Sequence, residues 1–350
     1  MKFSNSYIFY PDNRALEQAI DHYKRLLDNQ VAEDDAPDTT VSVRDNFLHT
    51  RGNFELRRYS ANVLEGARET LEAMLSDEGR KQAPLDWAAI NNSLGNVFAA
   101  LGQLRRDEEL FKKAIASFDH ALEEFAQEKT PLDWAATQYN MGTAMQALGG
   151  QLHDSKLLKA SVDAYTNALL EWTREQAPKE WASTMHQLGA AFYAHGILLK
   201  GNRTFQKSVV AFKNALLELD ADNDALELAA THNSRGVVLH NLGESEENTE
   251  RLKEAIRSYE TAMTVCMEQQ LPIHLAVLCR VNRATAKGVL AGLTKDPAIA
   301  EETADDFEVI VELFHNACQP LCLKHCEAQL GHAQSMVVEF SGSGGEASSV

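Results

Sequence analysis

Apolar residues recur along this chain at two intervals, a helical turn and a 47-residue step. Small residues stand at Ala67, Ala114, Ser161, Ser208 and Ala255, and four residues after each of the last four comes a ring: Phe118, Tyr165, Phe212 and Tyr259. Alanine follows three residues later, at Ala121, Ala168, Ala215 and Ala262. Spacings of four and three keep side chains on one stripe of a helix, so each set predicts an amphipathic helix with a small–aromatic–alanine core face.

A second helix is predicted upstream of each of these. It opens with Pro84-Leu85-Asp86-Trp87-Ala88, Pro131-Leu132-Asp133-Trp134-Ala135 and Pro178-Lys179-Glu180-Trp181-Ala182, whose tryptophans are 47 residues apart. Leu228 and Leu275 continue the Trp column, and Pro37 stands one step before Pro84. Proline suits the first helical position, where its missing N–H needs no partner. Thr130 with Asp133 predicts a capping box, and Asp224-Ala225-Leu226-Glu227 offers the same caps without proline. Eight residues after the Trp column come Gly95, Gly142, Gly189 and Gly236, and seven further Gly102, Gly149, Gly196 and Gly243. A mid-helix glycine costs about 1 kcal/mol against alanine, so the recurrence of the first set predicts close helix approach. The second set predicts the helix end.

Self-similarity at this period marks an array in which each unit buries itself against its neighbours. The units run about 37–77, 84–126, 131–173, 178–220, 225–268 and 272–317. Ala19, Tyr23 and Leu26 repeat the stripe in a partial unit at 12–29, and Pro320-Leu321-Cys322-Leu323 with Leu330-Gly331 predicts a capping helix over 320–339, shifted by one residue. Arg283 and Leu290 occupy the glycine columns of the 272–317 unit. Asp28–Thr40 reads as an acidic loop between units, and Ser341-Gly342-Ser343-Gly344-Gly345 opens a flexible tail over 341–350. Residues 1–340 are expected to form one array.

The pattern resembles the tetratricopeptide repeat, in which a Leu-Gly pair and a bulky residue in the first helix precede small–aromatic–Ala in the second. The matching residues are Leu94-Gly95-Phe98 with Ala114-Phe118-Ala121, and Leu188-Gly189-Phe192 with Ser208-Phe212-Ala215; Met141-Gly142-Met145 with Ser161-Tyr165-Ala168 matches less closely. The usual unit has about 34 residues, so the extra length is expected between the two helices and at the unit's end. A long period with a Trp-Ala opening is similar to a bacterial variant of the family. The resemblance implies an all-α solenoid, a right-handed superhelix whose concave wall is lined by first helices. It also implies exposed positions three before, one after and four after the first glycine. Those columns begin with Asp45, His49 and Gly52 and continue through Asn92, Asn96, Tyr139, Gln146, His186, Tyr193, Asn233, His240, Arg280 and Lys287. Amide groups can both donate to and accept from a peptide backbone, and tyrosines add rigid contact area with a polar tip. These ten side chains, Asn92 to Lys287, are the expected peptide- or partner-binding set. The family's grip on a C-terminal carboxylate is not carried over, because only Asn233, Arg280 and Lys287 suggest a basic end and Asp45 stands in the N-terminal half.

Composition narrows the partners. The 51 acidic and 33 basic side chains leave a net charge of −18, which disfavours nucleic acid, since that binding neutralises phosphates with Lys and Arg. No run reaches the ~18 apolar residues of a membrane span, and Met1–Ser6 lacks the apolar stretch of a signal peptide. Five cysteines without a framework fit a reducing cytoplasm. His315, Cys318, Cys322, His325, Cys326 and His332 hold soft ligands but no CxxC pair, and a capping helix with cysteine as a small hydrophobe explains them, so no metal is expected. No P-loop, HExxH, GxGxxG or GxSxG occurs, and His186, His232 and His240 are the remaining catalytic candidates. The expectation is a cytoplasmic, non-enzymatic scaffold without cofactor, binding another protein or peptide. The alternative is a regulatory or sensor module that works with a separate effector through a small ligand or self-association.

Overall fold

A computed structural model describes residues 54–271, 273–316 and 320–343, with side chains from residue 61 onward except 272–274, 314–322 and those past 341. The expected partial unit at 12–29, the acidic loop, and Asp45, His49 and Gly52 lie outside the described residues. Among the described residues there are thirteen helices and no strand: α1 (Phe54–Met74), α2 (Asp77–Gln82), α3 (Pro84–Arg105), α4 (Glu108–Leu122), α5 (Pro131–Leu152), α6 (Ser155–Glu171), α7 (Pro178–Leu199), α8 (Asn202–Ala215), α9 (Ala225–Ser245), α10 (Thr249–Glu268), α11 (Ile273–Thr294), α12 (Pro297–Asn316) and α13 (Pro320–Ser343). They divide into two compact units, one with α1–α7 ending at Lys200 and one with α8–α13 starting at Gly201. The 47-residue period continues in sequence through this division.

Proline holds the first helical position of α3, α5 and α7 as expected. The expected side-chain caps do not form. The Thr130 hydroxyl donates back to the Ala126 carbonyl at 3.3 Å, and Asp224 makes no side-chain cap. Backbone turns start these helices instead: the N–H of Trp87, Trp134, Trp181 and Leu228 bonds the carbonyl four residues earlier, at 2.8–3.0 Å.

Side-chain caps sit on the second helices α4, α6, α10 and α12, whereas α8 starts after Gly201 without one. Asp107 accepts from the N–H of Glu109 and Leu110, and Asp154 from Lys156 and Leu157. Asn248 accepts from Glu250 and Arg251, and Asp296 from Ala298 and Ile299. Each cap is worth about 1 kcal/mol. The residue just before each of them, Arg106, His153, Glu247 and Lys295, is left-handed, with φ of 49–54°. The connection inside a pair is therefore a tight turn. The extra length relative to a shorter unit lies in first helices of 22 residues (α3, α5, α7) and in the segments that join one pair to the next, not between the paired helices.

The small–aromatic–Ala stripe forms the core as predicted. Phe118, Tyr165, Phe212 and Tyr259 are 0% exposed, as are Ala121, Ala168, Ala215 and Ala262. Each ring within a unit lies on a glycine of the first helix. A Cβ at Gly95 would stand 2.5 Å from the Phe118 ring, one at Gly236 2.6 Å from Tyr259, and one at Gly142 3.0 Å from Tyr165. The later glycines do not end their helices. α3 and α5 continue to Arg105 and Leu152, and the Gly102 and Gly149 carbonyls accept the N–H of left-handed Arg106 and His153. Their missing side chains make room for Phe111 and Leu157. Trp134 packs on Ala88, Ala121 and Phe125 of the preceding pair, as expected of a ring that covers a junction. In the second unit α13 seats Ala333, Met336 and Phe340 against Ala291, Ala300 and Ala304. It runs on through Ser343, and 344–350 lie outside the described residues. No helix among the described residues is long and apolar enough to cross a membrane.

Gly95→Ala and Gly236→Ala force a methyl into a ring and are expected to cost about 1–3 kcal/mol each. Gly150, exposed and with open space around it, should gain up to about 1 kcal/mol as alanine. Urea unfolding of the three variants checks the contrast.

Candidate functional site

The first helices carry the polar columns, and most of those side chains are buried. In α3 every residue from Ser93 to Gly102 is buried, and in α9 every residue from Gly236 to Gly243. A buried run longer than two helical turns leaves no face open. The family-derived expectation of a solvent-facing wall is corrected accordingly for seven of the ten side chains. Asn96 is 5% exposed, Tyr139 3%, Gln146 9%, His186 1%, Tyr193 6%, Asn233 1% and His240 0%. Asn92 is half-buried, and the side chains of Arg280 and Lys287 are 30% and 15% exposed. The physical reason is packing: α5, for example, contacts its own partner α6, the preceding α4 and the preceding first helix α3.

Inside the first unit these groups bond one another. Asn140 Nδ2 donates to Asn92 Oδ1 at 3.2 Å, joining α5 to α3. The Tyr165 hydroxyl donates to Gln146 Oε1 at 2.9 Å and lies 3.1 Å from the Thr143 hydroxyl. Tyr139 packs edge-on to Tyr165 and tilted against Trp172, with centroids 5.7 and 5.6 Å apart. In the second unit Asn282 Nδ2 donates to Asn233 Oδ1 at 2.9 Å, joining α11 to α9. The amides thus recognise neighbouring helices of the same chain.

Arg280 and Lys287 belong to a charged cluster. With Arg283 they occupy one stripe of α11 and converge on Asp306 of α12, whose side chain is 9% exposed. Arg283 Nη2 reaches Asp306 Oδ1 at 2.6 Å and Oδ2 at 2.8 Å, while Arg280 and Lys287 stand at 3.5 Å. Lys287 also meets Glu302 at 2.8 Å. Arg283 lies in the glycine column and Asp306 one 47-residue step after Tyr259, in the aromatic column. The ring-on-glycine contact of the α3–α4, α5–α6 and α9–α10 pairs is here replaced by an ion pair. Sequence reading noted the lost glycine and missed Asp306, although the column position was visible.

Neither family models nor curated proteins match this chain.

Of the histidines expected as catalytic candidates His186 and His240 are buried and His232 half-buried, and desolvation pushes His232 and His240 down to about 4, with Arg235 adding to the effect at His232. Such imidazoles are neutral and weakly basic at pH 7. Ser155 Oγ lies 3.1 Å from His195 Nε2. Among the described residues no group of three or more His, Cys, Asp or Glu is placed to hold a metal. In the C-terminal Cys/His run, Cys326 is 1% exposed and packs with Val281, Ala284, Phe307 and Ile310, the role of a small hydrophobe. Cys318 and the side chains of His315 and Cys322 lie outside the described residues.

Asp306→Asn leaves three cations around a neutral amide and is expected to cost about 3 kcal/mol or more. The paired change Arg283→Gly with Asp306→Phe restores the columns of the other units and should recover at least half of that loss in a denaturation cycle. His232 and His240, with folded values below the usual 6.5, take up protons only on unfolding. Their contribution is therefore complete above pH 6.5 and lost as pH falls toward 4. His232→Gln with His240→Gln should flatten the drop in Tm across that window; an unchanged slope would assign it to other groups.

Proposed function

We propose that this chain is a non-enzymatic interaction scaffold, a solenoid of tetratricopeptide-type helix pairs that holds a segment of another protein. What carries the reading is an exposed apolar position that recurs with the unit. Leu85, Leu132 and Leu226 hold the second position of α3, α5 and α9 and are 49%, 64% and 36% exposed. Each is followed by an acid, exposed at Asp86 and Asp133 and half-buried at Glu227. A second column, Leu170 and Leu217, lies at the ends of second helices and is 57% and 51% exposed. Large apolar side chains repeated at fixed spacing on the surface mark interaction sites more strongly than scattered ones. The acids beside them, on a chain of net charge −18, fit an amphipathic segment with basic residues flanking its apolar face.

The expected set Asn92 to Lys287 then has a divided role in this reading. The buried members fix one helix against the next and hold the leucine columns in register. Asn92, Arg280 and Lys287, which keep solvent access, remain the members able to touch a partner directly.

The alternative, a regulatory module acting through self-association, draws on the same leucines meeting a second copy. The test combines affinity capture with the intact chain and titration of the recovered protein. Leu85→Glu, Leu132→Glu and Leu226→Glu together should leave helical circular dichroism unchanged and weaken partner binding at least tenfold. An unchanged Kd would remove the leucine edge from the account. A concentration-dependent sedimentation coefficient that the triple variant abolishes would select self-association.

A further inference from the structure

The junction of α10 and α11 differs from its counterparts in side-chain volume. The 47-residue step aligns Cys266 with Phe125, Trp172 and Leu219, and Cys279 with Gln138, Met185 and His232. Thiols occupy both columns at this junction alone. Two thiols fill less space than the rings and long side chains they align with. A cavity of about 10 Å³ remains there, bordered by both cysteines with Ala229, Ala230, Leu275 and Leu278, room for about one water. Cys266 and Cys279 are 2% and 3% exposed, both are free thiols, and they border this one cavity from the two facing helices.

We propose that Cys266 and Cys279 form a redox modification site, converted by a peroxide into an intramolecular disulfide that staples α10 to α11. The void lets the sulfurs approach to about 2.05 Å without displacing close-packed atoms. The roles differ: the neighbouring Cys279 thiol holds Cys266 below its ordinary range, while Cys266 and burial push Cys279 up. The Cys266 thiolate attacks one oxygen of hydrogen peroxide, the O–O bond breaks, and Cys266 sulfenic acid and hydroxide result. Cys279 gives its proton to that hydroxide and its sulfur attacks the sulfenic sulfur. The S–S bond forms as the second hydroxide leaves and is protonated. Two thiols and one peroxide thus yield one disulfide and two waters, and a dithiol reductant reverses the step by exchange.

The intact chain is treated with hydrogen peroxide, its remaining thiols are alkylated in denaturant, and its peptides are mapped without reduction. The expected product is a Cys266–Cys279 linked pair, two hydrogens lighter than the separate peptides and released by dithiothreitol. With dimedone present, Cys279→Ala should accumulate the sulfenic adduct on Cys266, and Cys266→Ala should show none on Cys279. Full alkylation of both cysteines in the treated native chain would overturn the proposal. So would their pairing with Cys318, Cys322 or Cys326, and an adduct on Cys279 in the Cys266→Ala variant would overturn the order of attack.

Discussion

The contact on which the pairs depend is an aromatic ring laid directly on a glycine of the facing helix. Phe118 on Gly95 and Tyr259 on Gly236 leave no room for even one added carbon. Glycine weakens a helix by about 1 kcal/mol, while burying a ring contributes about 1.5–3 kcal/mol, so the exchange favours the pair. The contact also sets the distance between helix axes. At that distance the alanine and serine columns of the second helix close fully, and in α3 and α9 the whole central stretch of the first helix is covered. The last pair shows the constraint by exception. With Arg283 where glycine would be, the facing column carries Asp306, and a bidentate ion pair fills the space left by the ring.

Enclosure of the first helix changes what its polar side chains can do. An amide or imidazole in that environment must find partners within the protein, because an unsatisfied buried polar group costs about 1–3 kcal/mol. Asn92 with Asn140, Tyr165 with Gln146, and Asn233 with Asn282 meet that need between helices. These bonds discriminate one register of packing from another, which hydrophobic surfaces of similar shape do poorly. In the proposed reading, recognition of other molecules falls to helix ends and loops, where leucine and acid alternate with the period.

Much of this was legible in the residues. Columns of identical spacing located the second-helix core to the residue, because a 0, +4, +7 stripe has one buried solution. Pro84, Pro131 and Pro178 marked helix starts, and the glycines marked close approach, since glycine at those positions has a cost that only packing offsets. The exposure of Asn96, Tyr139 and His240 was not legible. Their polarity suggested solvent, but burial is decided by helices 20 to 50 residues away in sequence. The Asp107, Asp154 and Asn248 caps share one 47-residue column, but Gly201 interrupts it and Asp296 lies one residue out of step, which obscured the signal. Asp306 was hidden for a related reason: an acid in an aromatic column resembles degeneracy until the arginine opposite it is seen.

The central claim is that most of the polar column side chains of the first helices are buried within the fold, and oxidative footprinting of the free chain tests it most directly. Hydroxyl radicals would be applied to native and urea-unfolded protein, with rates read per residue by mass spectrometry. Tyr139 and His240, 3% and 0% exposed, should react at least tenfold more slowly in the native chain, while Leu132 and Leu170, 64% and 57% exposed, should react at nearly the unfolded rate. Native-state oxidation of Tyr139 and His240 as fast as in urea would contradict the enclosed helix and return those side chains to an open groove.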